Sequence, residues 1–274
     1  MTGRSTMFTT IRTHVDGGIG VLTLNRPNVL NAINAAMVRE IGEAMAAFVD
    51  DQQVLAIVIH GEGRAFSAGF DLKESAQRQV TSVAQWRALL DEDFAFIMQF
   101  WDCPKPTVAA VHGHCLAGAF EIMLACDIAV AAEGTYFGEP EVRFGAGIVA
   151  LLLPWMTTPK IAKELLLTGN DKVTATQARE MGMVNHVVPA GQELPKAMDL
   201  AAQVCAAAPV SVQLTKRAIN RTYEMMNMRQ ALLAALETST LISVEAGPER
   251  VEFNRIAKEQ GLNAAIAWRN GRFK

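Results

Sequence analysis

The chain has 274 residues, of which 50% are hydrophobic and 19% charged, and its formal net charge is −3. This length and composition allow a sizeable buried core, in one domain or in one domain with an appendage. The slightly acidic balance gives no electrostatic signature of a protein that binds nucleic acid or an anionic membrane surface. No uninterrupted apolar run approaches the roughly 20 residues of a membrane span.

Two further features bear on the compartment in which the protein works. Residues 1–13 contain no long apolar stretch, so we expect no secretory signal. The four cysteines, Cys103, Cys115, Cys126 and Cys205, are scattered and form no Cys-x-x-Cys pair. Such cysteines are typical of buried free thiols in a reducing compartment, and we therefore expect a cytoplasmic protein.

The first two thirds of the chain predict strands that alternate with helices. Alternating apolar residues around Asp16-Gly17-Gly18 indicate a hairpin, and apolar β-branched runs indicate strands buried on both faces. A capping box at residues 174–177 opens a helix that ends at Gly182. The predicted strands are 8–14, 20–24, 54–60, 107–111, 128–132 and 184–188, and the predicted helices include 34–48 and 84–100.

The last third of the chain predicts helices only. Helical spacing runs through 194–208, 210–226 and 228–243 with short breaks between them. Strands interleaved with helices, followed by a helical tail, indicate an α/β fold with a helical appendage. We place the boundary near residues 189–195.

Two short segments after buried strands carry the strongest functional signal. The first is 65–73 (AFSAGFDLK) and the second is 111–121 (VHGHCLAGAFE). Small residues in both allow the backbone to approach a ligand closely. Together they can aim two backbone N–H groups at one oxygen, which is the geometry of an oxyanion hole. Two carboxylates, Glu121 and Glu141, follow the second segment.

These segments, in this order and spacing, resemble the crotonase superfamily, the enoyl-CoA hydratase/isomerase group. The resemblance covers nearly the whole chain. Its motifs lie at 22–33, 65–73, 105–113, 126–129, 137–141, 164–169 and 178–185. It implies a spiral core of ββα units in residues 1–193 and a helical region in residues 194–274 that mediates assembly into a homotrimer, or a hexamer made of two trimers.

The resemblance also assigns roles to individual residues. It implies that the backbone N–H groups of Phe70 and Gly118 form the oxyanion hole and that Glu121 and Glu141 are the two catalytic glutamates. Coenzyme A would contact Ala68, Lys73 and Arg269, and it would arrive as the thioester of the substrate. The resemblance implies no permanently bound cofactor and no metal. Glu139 is expected not to contact the substrate.

Three positions depart from the family pattern. Members usually have three consecutive glycines where this chain has Ala117-Gly118-Ala119, and hydratases often have alanine where Phe70 stands. After Glu141 they continue with a Pro-Gly loop of small residues, whereas this chain has branched side chains such as Val149. The last departure bears on the identity of the substrate.

Three functions compete. The leading hypothesis is an enoyl-CoA hydratase, in which one glutamate acts as base on a water and the other supplies the α-proton. The alternative is a Δ3-Δ2 enoyl-CoA isomerase, which needs one carboxylate, or another acyl-CoA lyase or hydrolase of this type. A non-catalytic family member that acts as a binding protein is the third, and retention of both glutamates argues against it. His112 and His114 lack a third ligand at metal spacing, and Ser67 lies outside a Gly-x-Ser-x-Gly motif.

Overall fold

Strands and helices interleave along the first 190 residues, and only helices follow. A computed structural model describes residues 8–78, 80 and 82–273. The strands of these residues are β1 (Ile11–Asp16), β2 (Ile19–Leu24), β3 (Ala56–Gly61), β4 (Thr107–Val111), β5 (His114–Leu116), β6 (Ile128–Ala132), β7 (Tyr136–Gly138), β8 (Val173–Thr174) and β9 (His186–Val188). The helices are α1 (Ala35–Asp50), α2 (Leu72–Gln77), α3 (Val83–Asp102), α4 (Gly118–Ala125), α5 (Leu153–Met156), α6 (Pro159–Thr168), α7 (Ala175–Glu180), α8 (Glu193–Ala206), α9 (Pro209–Met225), α10 (Met228–Glu245), α11 (Pro248–Gln260) and α12 (Leu262–Gly271).

The main sheet has six strands in the order β1-β2-β3-β4-β6-β9. β1 and β2 form the predicted antiparallel hairpin, and the remaining neighbours are parallel. Both faces of β3 are covered, because side chains alternate along a strand. Ile57 and Ile59 belong to the large core on one face, whereas Ala56 and Val58 pack with α8 on the other. The prediction of a strand buried on both faces is confirmed.

A second, small sheet decides where the chain turns toward the cavity described below. It has three strands in the order β5-β7-β8, and β5 and β7 pair in parallel with Leu116 opposite Gly138. α4 begins two residues after Leu116, and a 3-10 turn, Glu141–Phe144, begins three residues after Gly138. Helix α4 and the 3-10 turn therefore start at the same end of this sheet. Sequence analysis did not predict these strands.

Helices α8, α9 and α10 pack on the part of the chain that precedes residue 193. Ala197 and Ala201 of α8 are buried against the main sheet, and Lys216 of α9 forms an ion pair with Asp127, whose Nζ–Oδ2 distance is 2.7 Å. α10 contributes Leu232 and other side chains to the large core. The predicted boundary near 193 coincides with the start of α8, but α8 and α10 share the core of the preceding residues. A separate assembly role for residues 194–274 stays a prediction.

The two last helices form a cluster of their own next to the 3-10 turn. Phe253, Ile256 and Ala265 are buried there, and Phe144 of the turn packs against them. Cys103, Cys115 and Cys126 carry buried free thiols, and the free thiol of Cys205 is half-buried. Within the described helices, none alone is long and apolar enough to cross a membrane; α8 and α9 reach that length and composition together, with a bend of 110° between them.

Candidate active site

The two segments singled out in the sequence lie side by side. Ser67 N donates to His114 O at 3.0 Å, and Leu116 N donates to Ser67 O at 3.2 Å. The buried Ser67 hydroxyl donates to Asn31 O at 2.8 Å and accepts from Gly69 N at 3.1 Å. Ser67 therefore braces the loop, which agrees with its expected lack of a nucleophilic role.

The amides of Phe70 and Gly118 face the same space. Gly69 has φ +87°, and a Cβ at Gly69 would lie 2.6 Å from Ala117 Cβ and 3.4 Å from Gly118 N, so only glycine allows this approach. Gly118 opens α4, where a backbone N–H has no partner inside the helix. Within the described residues, neither the Phe70 nor the Gly118 amide donates to a backbone acceptor outside its own helix or strand. Both residues line one cavity, and their role as joint donors to a substrate oxygen stays a prediction.

Ala117 carries backbone strain at the entrance to α4. Its φ of +56° and ψ of −136° are rare for a residue with a Cβ. The conformation is fixed on one side, because Ala117 N donates to Gly138 O at 2.8 Å. Strained residues of this kind cluster at functional sites, where the surrounding structure holds them. Here the strain turns the chain from β5 into the helix that begins with the Gly118 amide.

Glu121 lies one turn into α4 and is 2% exposed. Its Oε1 accepts a hydrogen bond from Ala150 N at 2.8 Å, which fixes the carboxyl group against the loop after the 3-10 turn. Burial, and next to it the charge of Glu141, raise the pKa of Glu121 well above its ordinary value. A buried carboxyl next to a second one is a candidate acid or base.

Glu141 begins the 3-10 turn directly after Pro140. Its side chain is buried, and in the described part of the chain no group donates to its Oε2. Burial raises the pKa of Glu141 to about 7, while the positive charge of Arg269 opposes that shift. A carboxyl group with a pKa near neutral pH is suited to exchange protons with a substrate.

Glu139 was expected not to contact the substrate, and it does not line the cavity that Glu121 and Glu141 share. Its burial was not predicted: it is 1% exposed, and neither carboxyl oxygen has a hydrogen-bond partner among the described residues. Burial and the charges of Glu121 and Glu141 raise the pKa of Glu139 well above its ordinary value. Glu139 is therefore a third buried carboxyl whose charged form is disfavoured.

The two carboxyls and the two amides border one cavity of about 800 Å³. One face of α3 forms a wall of it with Trp86, Leu89, Leu90 and Asp93. Asp93, which sequence analysis missed, is 8% exposed, and burial raises its pKa to about 7 although the charge of Arg78 opposes this. The sequence does contain a signal, since Asp93 interrupts an otherwise apolar helical face.

Two residues predicted to contact coenzyme A also line this cavity. Lys73 is exposed in the first turn of α2, where its ammonium group is free to meet a phosphate. Ala68 N donates to Leu30 O at 3.0 Å, so only the carbonyl of Ala68 is left for a ligand. The contacts of both residues with coenzyme A stay predictions.

Arg269, the third predicted coenzyme A ligand, is placed differently. It is 8% exposed, and its Nη2 lies 3.3 Å from Asp171 Oδ2. Its guanidinium also lies 5.8 Å from the centre of the Phe144 ring. The side chain borders the cavity beside Glu141 and already has a carboxylate partner, so a free phosphate-binding cation is not what this geometry favours. Its contact with coenzyme A stays a prediction.

Val149, the departure noted in the loop after Glu141, lines the same cavity and is 7% exposed. The next residue, Ala150, supplies the amide that holds Glu121. The altered loop therefore both narrows the cavity and positions a carboxyl group. In the described residues no group of three or more His, Cys, Asp or Glu side chains is arranged to hold a metal ion.

Comparison with known proteins decides the family. The family model described as enoyl-CoA hydratase/isomerase matches residues 14–247. The chain belongs to this family. The predicted resemblance is confirmed, and with it the assignment to an enoyl-CoA hydratase/isomerase type of enzyme.

Individual relatives of this enoyl-CoA hydratase/isomerase family member agree. A probable mitochondrial enoyl-CoA hydratase of Dictyostelium discoideum is 35% identical over 80% of this chain and 78% of that protein. A short-chain-enoyl-CoA hydratase of Clostridium acetobutylicum is 33% identical over 75% of this chain and 79% of that protein. A crystal structure of an enoyl-CoA hydratase/isomerase from Xanthobacter autotrophicus Py2 has a TM-score of 0.96 and 47% identity, and covers 98% of this chain and 100% of that one. The predicted α/β crotonase-like fold is confirmed.

Proposed function

We propose that the protein adds water to the double bond of a 2-enoyl-CoA thioester. The observation that carries this proposal is the pair of buried carboxyls, Glu121 and Glu141, which border one cavity with the amides of Phe70 and Gly118. Burial raises the pKa of Glu141 to about 7, and burial and the charge of Glu141 raise the pKa of Glu121 well above its ordinary value. Such a pair shares a proton more readily than two isolated carboxyls. It therefore offers one proton acceptor and one proton donor.

The reaction follows from this arrangement. The thioester carbonyl oxygen accepts hydrogen bonds from the Phe70 and Gly118 amides. The ionised carboxylate takes a proton from a water, and the water oxygen forms a bond to the β-carbon. The electrons of the double bond move onto the thioester as an enolate, whose oxygen the two amides stabilise. The protonated carboxyl then delivers its proton to the α-carbon, so that H and OH have been added and the two carboxyls have exchanged roles.

An isomerase is the second candidate because it uses the same oxyanion hole. Moving a double bond needs one carboxylate that removes a proton and returns it elsewhere, and it needs no water. Both carboxyls of this chain line the cavity, which supports hydration. The Dictyostelium and Clostridium relatives are also named as hydratases.

The test uses Glu121→Gln and Glu141→Gln, which keep the size of each side chain and remove its proton chemistry. Loss of the conjugated thioester absorbance of crotonyl-CoA reports hydration. Each variant should lower kcat by at least about 10²-fold, as expected for an acid–base group. Glu133→Gln, at an exposed turn after β6, is the matched control and should hydrate at the wild-type rate.

Two other outcomes would change the assignment. If Glu141→Gln abolishes turnover of a 3-enoyl-CoA while Glu121→Gln is nearly silent, the isomerase is the better description. If neither substitution affects turnover, the proposed catalytic pair is wrong.

We further propose a homotrimer, or a hexamer made of two trimers, working in the cytoplasm on a substrate that brings its own coenzyme A. Support for assembly comes from the large apolar side chains that α9 and α10 leave exposed. A helical appendage that stayed monomeric would expose fewer of them to water. They are Val210, Leu214, Ile219, Met225, Leu241 and Ile242. Sedimentation that shows a fully active monomer would refute the link between assembly and activity.

A further inference from the structure

Arg250 of α11 is a half-buried cation that the mechanism above does not use. It lines the catalytic cavity, and its Nη1 is shielded from solvent without a hydrogen-bond partner in the described residues. No Asp or Glu of that part of the chain lies within 4.0 Å of its guanidinium. The guanidinium lies 4.9 Å from the centre of the Trp86 ring. This contact covers the flat face of the guanidinium but gives none of its N–H donors a hydrogen-bond acceptor.

Such an arrangement is costly unless an anion completes it. A buried charge without a partner loses its hydration and gains no Coulomb attraction in return. Burial lowers the pKa of Arg250, because it disfavours the charged form. Arg269, which is buried at the same cavity, is paired with Asp171. Arg64 also lines the cavity but is exposed, so among the described residues Arg250 is the guanidinium that is shielded from water and left for a ligand.

The position of Arg250 suggests which part of the ligand it meets. Trp86, Leu89, Leu90 and Asp93 lie on one face of α3, and the helical rise from Trp86 to Asp93 is about 10 Å. The charge of Asp93 acts on Glu121, which places that end of the wall near the reacting carbons. Arg250 stacks at the Trp86 end. Leu89 and Leu90 therefore lie between the guanidinium and the reacting carbons.

We propose that Arg250 binds a carboxylate at the far end of the acyl group. The substrate class is then a 2-enoyl-CoA whose acyl chain ends in a second carboxylate, a few carbons beyond the double bond. This inference rests on the proposed function for the reacting end of the molecule. The planar guanidinium matches a carboxylate with two parallel hydrogen bonds, and the Trp86 ring holds it in that plane.

A phosphate of coenzyme A is the other oxyanion that Arg250 can meet. The exposed Lys73 and Arg64 lie at the same cavity as candidate phosphate contacts. The shielded Nη1 of Arg250 and its stacking on Trp86 fit the acyl end better than a solvated phosphate. The experiment separates the two, because every acyl-CoA carries the phosphates and only some carry the second carboxylate.

The experiment compares two pairs of ligands that differ by one carboxylate. Binding of heptanoyl-CoA and suberyl-CoA, which cannot be hydrated, is measured by calorimetry, and hydration of 2-heptenoyl-CoA and 2-octenedioyl-CoA is followed by absorbance. The variants are Arg250→Gln and Arg250→Lys. Arg255→Gln is the matched control, because Arg255 is an exposed residue of the same helix that pairs with Glu252 and Glu259.

The wild-type protein should bind suberyl-CoA about 10- to 100-fold more tightly than heptanoyl-CoA, the range of a charge-assisted hydrogen-bonded pair. Arg250→Gln should abolish this preference with little effect on heptanoyl-CoA, Arg250→Lys should keep part of it, and Arg255→Gln should keep all of it. Equal weakening of both ligands by Arg250→Gln, or no wild-type preference, would overturn the proposal. A binding preference without hydration of either enoyl-CoA would refute the hydratase and leave this inference standing.

Discussion

Replacing Gly118 by alanine tests the two-amide arrangement most directly. A Cβ at Gly118 would lie 2.4 Å from Phe70 Cε2 and 2.7 Å from Phe70 Cδ2. Carbon atoms in ordinary contact are about 3.5–4.0 Å apart, so the ring and the start of α4 must separate by ~1 Å. The ring packs against Phe96, whose ring centre is 6.3 Å from that of Phe70, and this contact restricts its movement on one side.

The expected loss follows from which residues are displaced. Phe70 and Gly118 themselves supply the two proposed donors, so pushing them apart moves the amides relative to the carbonyl oxygen. A displacement of ~1 Å costs about 10²-fold in rate, and loss of one oxyanion donor costs about 10²–10³-fold. Gly118→Ala should therefore lower kcat/KM for crotonyl-CoA by about 10²-fold. Overpacking of this size should lower the free energy of unfolding by about 1–3 kcal/mol, which a stable domain survives.

A second substitution identifies the cause. Phe70→Ala removes every atom that the new Cβ meets within 3.3 Å while keeping the residue-70 amide, so Phe70→Ala/Gly118→Ala should recover most of the activity of Phe70→Ala. Gly42→Ala is the control, because no atom lies within 4 Å of a Cβ there and the position is inside α1. The reasoning is wrong if Gly118→Ala hydrates at the wild-type rate, or if the double variant is no faster than Gly118→Ala alone.

Two predictions concern pH. Because burial raises the pKa of Glu141 to about 7, kcat/KM should fall as the pH drops below about 7 and the glutamate pair loses its proton acceptor; a rate that stays level from pH 8 to about pH 5 would contradict this. Glu40→Gln should lower the free energy of unfolding at pH 7 by about 1–3 kcal/mol. Burial disfavours the charged form of Glu40, but hydrogen bonds from Thr10 and Thr9 outweigh the effect of burial and lower the pKa of Glu40 from 4.5 to about 2. A group with a depressed folded-state pKa stabilises the protein above its unfolded pKa and loses this effect as the pH falls toward 2, so denaturant curves of wild type and variant should converge in acid.

The elements that the sequence predicted most accurately are those that are completely buried. Strands 107–111 and 128–132 coincide with β4 and β6, because continuous apolar runs between turn residues leave few alternatives. The capping box at Thr174 starts α7 as expected. β5, β7 and β8 were missed because strands of two or three residues carry no readable period and exist only through pairing with one another.

In the candidate site, too, some residues could be predicted from the sequence and others could not. Glu121 and Glu141 could be named from the motifs that surround them. The amide of Ala150 that holds Glu121, and the burial of Glu139, depend on contacts between segments far apart in sequence, and no local pattern contains them. Asp93 was visible as an acid on an apolar helix face, but its place beside the catalytic cavity required the packing of α3.

The small sheet that the sequence does not reveal is the element that brings the acids together. Leu116 pairs with Gly138, so α4 with Glu121 and the turn with Glu141 leave adjacent strands at the same end. Gly138 permits this arrangement, because a Cβ there would lie 2.0 Å from the carbonyl oxygen of Asn170. Its own carbonyl holds Ala117 in the strained conformation that starts α4. One backbone position thus sets both the direction of the Gly118 amide and the separation of the two carboxyls, which explains why so much of the proposed chemistry depends on two strands of three residues.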